Sequence, residues 1–263
     1  MYSERAIITC HELRLIFKLP LRQCQGFIDS LFGQMGLTIR CPDYTRLCRR
    51  LKALSLRYPR YRKPDKKEDD IAAIAIDSTG LKRFGRDEWH QEKHKVSAKR
   101  SWRKLHVAVD NKHIIQACEL TDRFVSDDSA VAPLVDNIDL VVGQITADTA
   151  YDKNTVYTVC SKRFLQADIV IPPAVTAVSH KRNHPQRNRN LQEIKELGRI
   201  AWQKHRCYGQ RNVSELAIQR YKRIIGNTLH AREFVRQRQE ALIACGVLNK
   251  MTALGMPKSY RPA

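Results

Sequence analysis

The chain has 263 residues, 43% hydrophobic and 28% charged, so it is long enough to bury a large core and has the composition of a globular protein. Lys and Arg total 47 against 27 Asp and Glu, which gives a formal net charge of +20 at pH 7. A surplus of this size favours nucleic acid as the partner, with a basic ribosome-associated protein as the alternative.

Membrane insertion and secretion are not indicated. The longest wholly apolar run, Ile71 to Ile76, is far shorter than a membrane span, and no signal-peptide pattern opens the chain. The eight cysteines include no Cys-x-x-Cys pair, which argues against a structural zinc site and for reduced thiols. We therefore expect no membrane partner and a cytoplasmic, nucleoid-associated location.

Residues 1–56 are predicted to form a small helical domain. Apolar residues at helical spacing predict one helix that ends near Leu19 and a second that closes at Gly36. A third helix is expected from Thr45 to Leu54, with Asp43 as its N-cap.

The third helix carries a run of arginines, Arg46, Arg49 and Arg50, on its exposed face. Two interpretations remain open. The three helices resemble a helix-turn-helix unit, whose last helix would contact DNA through these arginines. Alternatively, they form a helical cap whose charges only face water.

The character of the chain changes after a predicted linker over residues 57–70, which contains Pro59 and Pro64. Residues 71–263 are predicted to form one catalytic domain. Its first element, Ile71 to Ile76, is a continuous apolar run, as expected of a strand that is buried on both faces.

The elements that follow predict a mixed sheet with helices on both faces, an α/β fold. In chain order we expect an exposed loop or hairpin at 81–104, paired strands at 105–110 and 114–120, a helix at 126–138, a strand at 144–147, a helix at 153–164, a strand at 168–171, a basic loop at 174–190, and helices from Leu191, from Asn212 and over 234–254.

Three carboxylates are candidates for a catalytic site. Asp77 and Asp148 each follow an apolar strand, at the edge where open α/β sheets bind ligands, and Glu215 lies on a predicted helix. Clustered carboxylates need counter-charge, and Mg²⁺ or Mn²⁺ suits such oxygen ligands. A pair of these ions catalyses displacement at phosphorus. The alternative is that each Asp is an ordinary turn residue.

Helical spacing sends three side chains in nearly one direction: those of Arg211, Glu215 and Lys222, with Tyr208 close by. The opposite side is predicted to be buried and comprises Val213, Leu216, Ala217, Tyr221 and Ile224. Two cations beside a carboxylate suit a site that holds a metal ion and a phosphodiester. An ordinary surface pair at i,i+4 is the alternative.

The motif Tyr208-x2-Arg211-x3-Glu215-x6-Lys222 resembles the signature around the last carboxylate of bacterial insertion-sequence DDE transposases. Residues 76–82 and 147–152 resemble the regions of that family's first and second Asp. The resemblance implies a ribonuclease-H-like core in which Asp77, Asp148 and Glu215 hold two Mg²⁺ ions, with Mn²⁺ as a substitute.

The same resemblance implies that Tyr208, Arg211 and Lys222 contact DNA near the scissile phosphate. The implied partners are the terminal inverted repeats of the element and target DNA, bound by a homodimer or higher oligomer. Members of the family carry a further stretch before the equivalent of Tyr2, so a truncated, inactive DNA-binding copy is one alternative. A ribonuclease-H-like nuclease or resolvase is another.

Overall fold

The computed structural model describes residues 2–56, 59, 71–83 and 102–255, and the described part contains one mixed sheet of six strands. The strands are β1 (Ala72–Arg83), β2 (Trp102–Asp110), β3 (Ile115–Asp122), β4 (Val142–Thr146), β5 (Asp168–Val170) and β6 (Thr228–Leu229). Their order is β3-β2-β1-β4-β5, with β6 paired to the end of β1.

The pairing directions are those of a ribonuclease-H-like sheet. Strands β1, β2 and β3 are antiparallel neighbours, whereas β4, β5 and β6 join in parallel. The predicted mixed α/β sheet and the predicted pairing of residues 105–110 with 114–120 are therefore confirmed.

Helices cover both faces of the sheet. They are α1 (Glu4–Ile16), α2 (Leu21–Gln34), α3 (Tyr44–Ala53), α4 (Val131–Asp136), α5 (Asn154–Arg163), α6 (Pro185–Leu197), α7 (Arg199–His205), α8 (Asn212–Arg220) and α9 (Phe234–Leu254). The predicted start of α3 is confirmed, because an Asp43 carboxylate oxygen accepts a hydrogen bond from the amide of Thr45 at 2.8 Å.

Strand β1 contributes to two separate hydrophobic clusters because its side chains alternate between the faces of the sheet. Ile74 and Ile76 pack with α4 and α5 on one face. Ala75 and Leu81 pack on the other face with α8 and α9. Burial on both sides explains why the sequence shows an unbroken apolar run here.

The three N-terminal helices belong to the second of these clusters. Ile7, Ile28 and Leu47 lie in the same buried group as Leu248 of α9. The Lys250 ammonium also reaches Glu12 of α1, 2.7 and 2.5 Å from its two carboxylate oxygens. The helical region therefore packs directly on the sheet domain through α9.

Three elements differ from the sequence prediction. Strand β1 continues to Arg83, and Leu81 is fully buried, since the end of β1 pairs with both β2 and β6. Helix α6 begins at Pro185 rather than Leu191, because the His184 side chain caps the Gln186 amide. The predicted helix over 126–138 is only the short α4, preceded by a 3₁₀ turn.

Some predictions fall outside the described residues. They are the linker over 57–70, except for Pro59, and the basic segment over 84–101. Across the part of the chain that is described, no helix has the length and apolar character needed to span a bilayer. All eight cysteines carry free thiols and six of them are buried, consistent with packing roles.

His11 of α1 makes the stability of this assembly depend on pH. Its imidazole is buried and its Nε2–H donates to the carbonyl of Leu47 at 3.2 Å. Burial, aided by the nearby Arg14 charge, lowers the pKa of His11 to about 4 from 6.5. The unfolded chain therefore binds one more proton than the folded chain between these pH values.

We predict that neutral His11 contributes its full stabilisation above pH 6.5 and that this contribution is lost as the pH falls towards 4. At pH 5 the free energy of unfolding should be lower by about 2 kcal/mol than at neutral pH on account of His11. Urea unfolding at pH 7 and pH 5 measures it. In His11→Gln, the slope of the unfolding free energy against pH should fall by the equivalent of one proton. In His205→Gln, a change at an exposed position, the slope should stay as in the parent. An unchanged slope in His11→Gln would contradict the assignment.

Candidate active site

Asp77 and Asp148 lie side by side where the parallel pairing of β1 and β4 stops. The last paired residues are Ala75 and Thr146, and each aspartate lies two residues further along its own chain segment. The expectation that Asp77 ends its strand is wrong, because β1 remains paired with β2 as far as Lys82. It is the shorter β4 that creates the open edge beside Asp77.

The Asp77 carboxylate is largely buried, with 16% of its side chain exposed. Its Oδ1 accepts a hydrogen bond from the amide of Ser78 at 2.8 Å, and its Oδ2 lies 3.8 Å from Nη1 of Arg211. Burial raises the pKa of Asp77, against the lowering effects of the Ser78 amide and Arg211, and the charges of Asp148 and Glu215 raise it further. The site thus concentrates negative charge that a cation would relieve.

Asp148 is held by a short turn that is anchored in the core. One of its carboxylate oxygens accepts from the amide of Ala150 at 2.9 Å, and Tyr151 in the same turn is buried. Asp152 closes the turn through two bonds with the guanidinium of Arg187, at 2.8 and 2.7 Å. Because a bidentate pair fixes both partners, the backbone that carries Asp148 is well defined.

The 3₁₀ turn before α8 carries Tyr208 and Arg211, and the first turn of α8 carries Glu215, towards Asp77 and Asp148. Arg211 forms an ion pair with Glu215 through Nη2 while its Nη1 faces Asp77. The Tyr208 hydroxyl donates to the carbonyl of Ala147, next to Asp148, at 3.3 Å. Burial raises the pKa of Tyr208 to about 12, so its hydroxyl stays protonated at neutral pH.

The predicted regular helix from Arg211 to Lys222 is wrong in detail. Residues Tyr208–Arg211 form a 3₁₀ turn, α8 ends at Arg220, and Tyr221–Ile225 form a π turn. These changes of helical pitch break the 100° spacing on which the prediction relied. Lys222 is exposed and, within the described part of the chain, forms no hydrogen bond or ion pair.

The buried side of this segment also differs from the prediction at two positions. Ile224 is only half-buried, and Ile225 is buried in its place. Val213, Ala217 and Tyr221 are buried as expected, whereas 46% of Leu216 is exposed. Ser214 is buried instead, with its hydroxyl bonded to the carbonyl of Arg211 at 2.8 Å. The buried face of α8 is therefore formed by Val213, Ser214 and Ala217.

The carboxylate oxygens of Asp77, Asp148 and Glu215 are the kind of ligand that a hard divalent cation prefers. In the observed structure, however, these side chains are not arranged to bind one ion together. Among the described residues, no three Asp, Glu, His or Cys side chains are close enough together to hold an ion. The guanidinium of Arg211 lies between Asp77 and Glu215 and supplies the positive charge there. Half of the Glu215 side chain is exposed, so it is free to turn away from Arg211.

The arginines of α3 are not equivalent. Arg46 lies over the ring of Tyr2 at 5.6 Å, and Arg50 donates to the carbonyl of Tyr2 at 3.3 Å. Arg49 is exposed and, in the described ranges, has no side-chain partner. The buried face of α3 consists of Leu47 and Leu51. Arg49 is therefore the α3 arginine that is most available to a ligand.

Sequence reasoning missed a polar group behind Asp77. Ser78 and Lys104 both bond to one oxygen of Asp127, which follows β3. Alternation along β1 does predict that Ser78 faces away from Asp77. The pairing that brings Asp127 to Ser78 is long-range and has no local sequence signal.

Two family models match the chain, and both are described as a transposase DDE domain. One matches residues 1–86 and the other residues 68–250. The second match spans β1, Asp148 and the whole of α8, the elements that form the cluster of carboxylates. With its ribonuclease-H-like sheet and these matches, the chain belongs to the DDE transposase family.

Proposed function

We propose that this protein is an insertion-sequence transposase that cleaves DNA at the ends of its element and joins the freed 3′-hydroxyl to target DNA. The observation that supports this most strongly is the position of Arg211 between Asp77 and Glu215, with Asp148 near enough for its charge to raise the pKa of Asp77. The three carboxylates come from β1, α8 and the turn after β4, which are distant in sequence. Phosphoryl transfer is the chemistry for which such a cluster is suited.

In this proposal Asp77, Asp148 and Glu215 hold two Mg²⁺ ions, for which Mn²⁺ can substitute. When bound, the ions would activate the attacking oxygen and stabilise the leaving oxygen at phosphorus. The burial of Asp77 and its like-charged neighbours favour cation binding, because a cation offsets their mutual repulsion. The Ser78 amide keeps one oxygen of Asp77 in a fixed direction.

The cations around the cluster would hold the DNA. Arg211 would leave Glu215 and pair with a phosphate near the scissile bond, since a guanidinium binds phosphate as readily as carboxylate. The protonated hydroxyl of Tyr208 can donate to a phosphate oxygen. Lys222, exposed on the π turn, would contact the backbone further along the duplex.

The rest of the chain would supply binding to DNA. We infer that residues 1–56 form a DNA-binding domain, which reads DNA through the arginines of α3, and that residues 71–263 form the catalytic domain. A net charge of +20 supports strong, salt-sensitive attraction to a duplex. The partners would be the terminal inverted repeats and target DNA, held by a homodimer or higher oligomer in the nucleoid.

Asp77→Asn, Asp148→Asn and Glu215→Gln should each lower Mg²⁺-dependent nicking by at least ~100-fold, because each removes a charged ligand at nearly constant shape. The substrate is a labelled duplex taken from the DNA that flanks the gene. Asp136→Asn, at an exposed position of α4, is the matched control and should cut like the parent. Joined products, beyond nicked ones, separate a transposase from a repair nuclease.

Normal cutting by all three variants would refute the assignment of the site. Melting temperatures close to that of the parent would show that lost activity is not lost folding.

Arg49→Ala should weaken duplex binding several-fold and lower the salt dependence of binding by roughly one ion. The physical reason is that Arg49 is exposed and has no side-chain partner among the described residues, whereas Arg46 and Arg50 contact Tyr2. Fluorescence anisotropy at several salt concentrations measures both quantities. Lys162→Ala, at an exposed position of α5, is the control, and equal effects of the two variants would refute a role for α3.

A further inference from the structure

A charged pair lies on the face of β1 that is opposite to the Asp77 side chain. Lys104 of β2 places its ammonium 3.2 Å from Oδ1 of Asp127 and 2.9 Å from the carbonyl of Val125. The hydroxyl of Ser78 donates to the same Asp127 oxygen at 3.2 Å. Nδ1 of the buried His106 is also close, at 3.9 Å. Several groups from two strands thus meet at one carboxylate oxygen.

Ser78 connects this pair to the catalytic cluster. Its amide donates to Oδ1 of Asp77 at 2.8 Å, while its hydroxyl is held by Asp127. That amide belongs to the backbone of β1, so a shift of the strand at Ser78 would move the group that orients Asp77. No other described strand pairs with β1 on its β4 side at this point, since β4 stops at Thr146. The orientation of Asp77 depends on local contacts of this kind.

We propose that Asp127, held by Lys104, is a positioning residue for Asp77 and acts through Ser78. The inference rests on the proposed function, because it assigns Asp77 to the metal ions. Hydrogen bonds from a second layer of residues fix the direction of ligand carboxylates and raise metal affinity. Asp127 would fix the direction of the Asp77 carboxylate through Ser78, from the face of β1 opposite to the Asp77 side chain.

A purely stabilising role explains this pair less well. About a quarter of each side chain is exposed, 26% for Lys104 and 24% for Asp127. Three-quarters of each side chain is therefore buried, and a stabilising contribution alone does not account for the Ser78 hydroxyl at the same Asp127 oxygen. The contact of Asp127 with Ser78, beside Asp77, is better explained by a requirement for alignment.

The test is the affinity of the protein for Mn²⁺, measured by electron paramagnetic resonance of the free ion. Asp127→Ala and Ser78→Ala should each weaken binding by about tenfold. Because both act through one contact, the double variant should bind no more weakly than either single variant. Asp128→Ala, next to Asp127 but outside the network, should bind like the parent.

Lys104→Met separates two effects of Lys104 on Mn²⁺ affinity: the positioning of Asp127, and the electrostatic repulsion between the ammonium and the metal ion. Loss of a positive charge near the site would tighten Mn²⁺ binding if only the field mattered, whereas loss of the Asp127 anchor weakens it. Tighter binding in Lys104→Met, additive losses in the double variant, or parent affinity in Ser78→Ala would each overturn the proposal. If Asp127→Ala fails to fold, Ser78→Ala and Lys104→Met still decide the question.

Asp77→Asn distinguishes this proposal from the proposed function. Parent-like Mn²⁺ binding in Asp77→Asn would refute the metal site itself, and the role of Asp127 with it. Weak binding in Asp77→Asn together with parent affinity in Ser78→Ala would refute only the role of Asp127.

Discussion

Three carboxylates can share a small volume as anions only when a cation lies among them. In this protein Arg211 provides that charge, with its guanidinium between Asp77 and Glu215. The arrangement keeps the acidic cluster together without a metal ion. In the proposed function, a divalent ion and Arg211 would compete for these carboxylates. Release of Arg211 on metal binding would then make its charge available to DNA phosphate.

Strand β1 is the element that makes this cluster possible. One of its faces packs with α4 and α5, and the other with α8 and α9, so its position is fixed from both sides. Asp77 faces α8, which supplies Glu215, and Ser78 faces Asp127. Because β4 stops early, the edge beside Asp77 is open to Asp148. A strand of lower burial would not hold carboxylates to the tolerance that metal coordination needs.

Local signals in the sequence predicted much of this fold. The residues around Asp43 predict a helix N-cap, and the structure shows that its side chain bonds to the amide of Thr45. The predicted helix over 234–254 is confirmed as α9. The sequence places Asp77 and Asp148 at one edge only on condition that their strands are neighbours, and the pairing of β1 with β4 meets that condition. Each of these inferences needs only residues that are close along the chain or a general rule of topology.

Features that depend on distant contacts could not be predicted in this way. The continuation of β1 to Arg83 requires β6, which lies more than a hundred residues later in the chain. The π turn after α8 breaks a helix that periodicity treats as regular, and it alters the direction of Lys222. The contact of Ser78 with Asp127 depends on the path of the chain after β3. Long-range packing, not residue preference, decides all three.

The most direct test of the account is anomalous diffraction from crystals of the protein soaked in Mn²⁺. We expect anomalous density bounded by the carboxylates of Asp77, Asp148 and Glu215, with the guanidinium of Arg211 displaced from between Asp77 and Glu215. Density elsewhere, or a Glu215 that remains paired with Arg211 at saturating Mn²⁺, would contradict it.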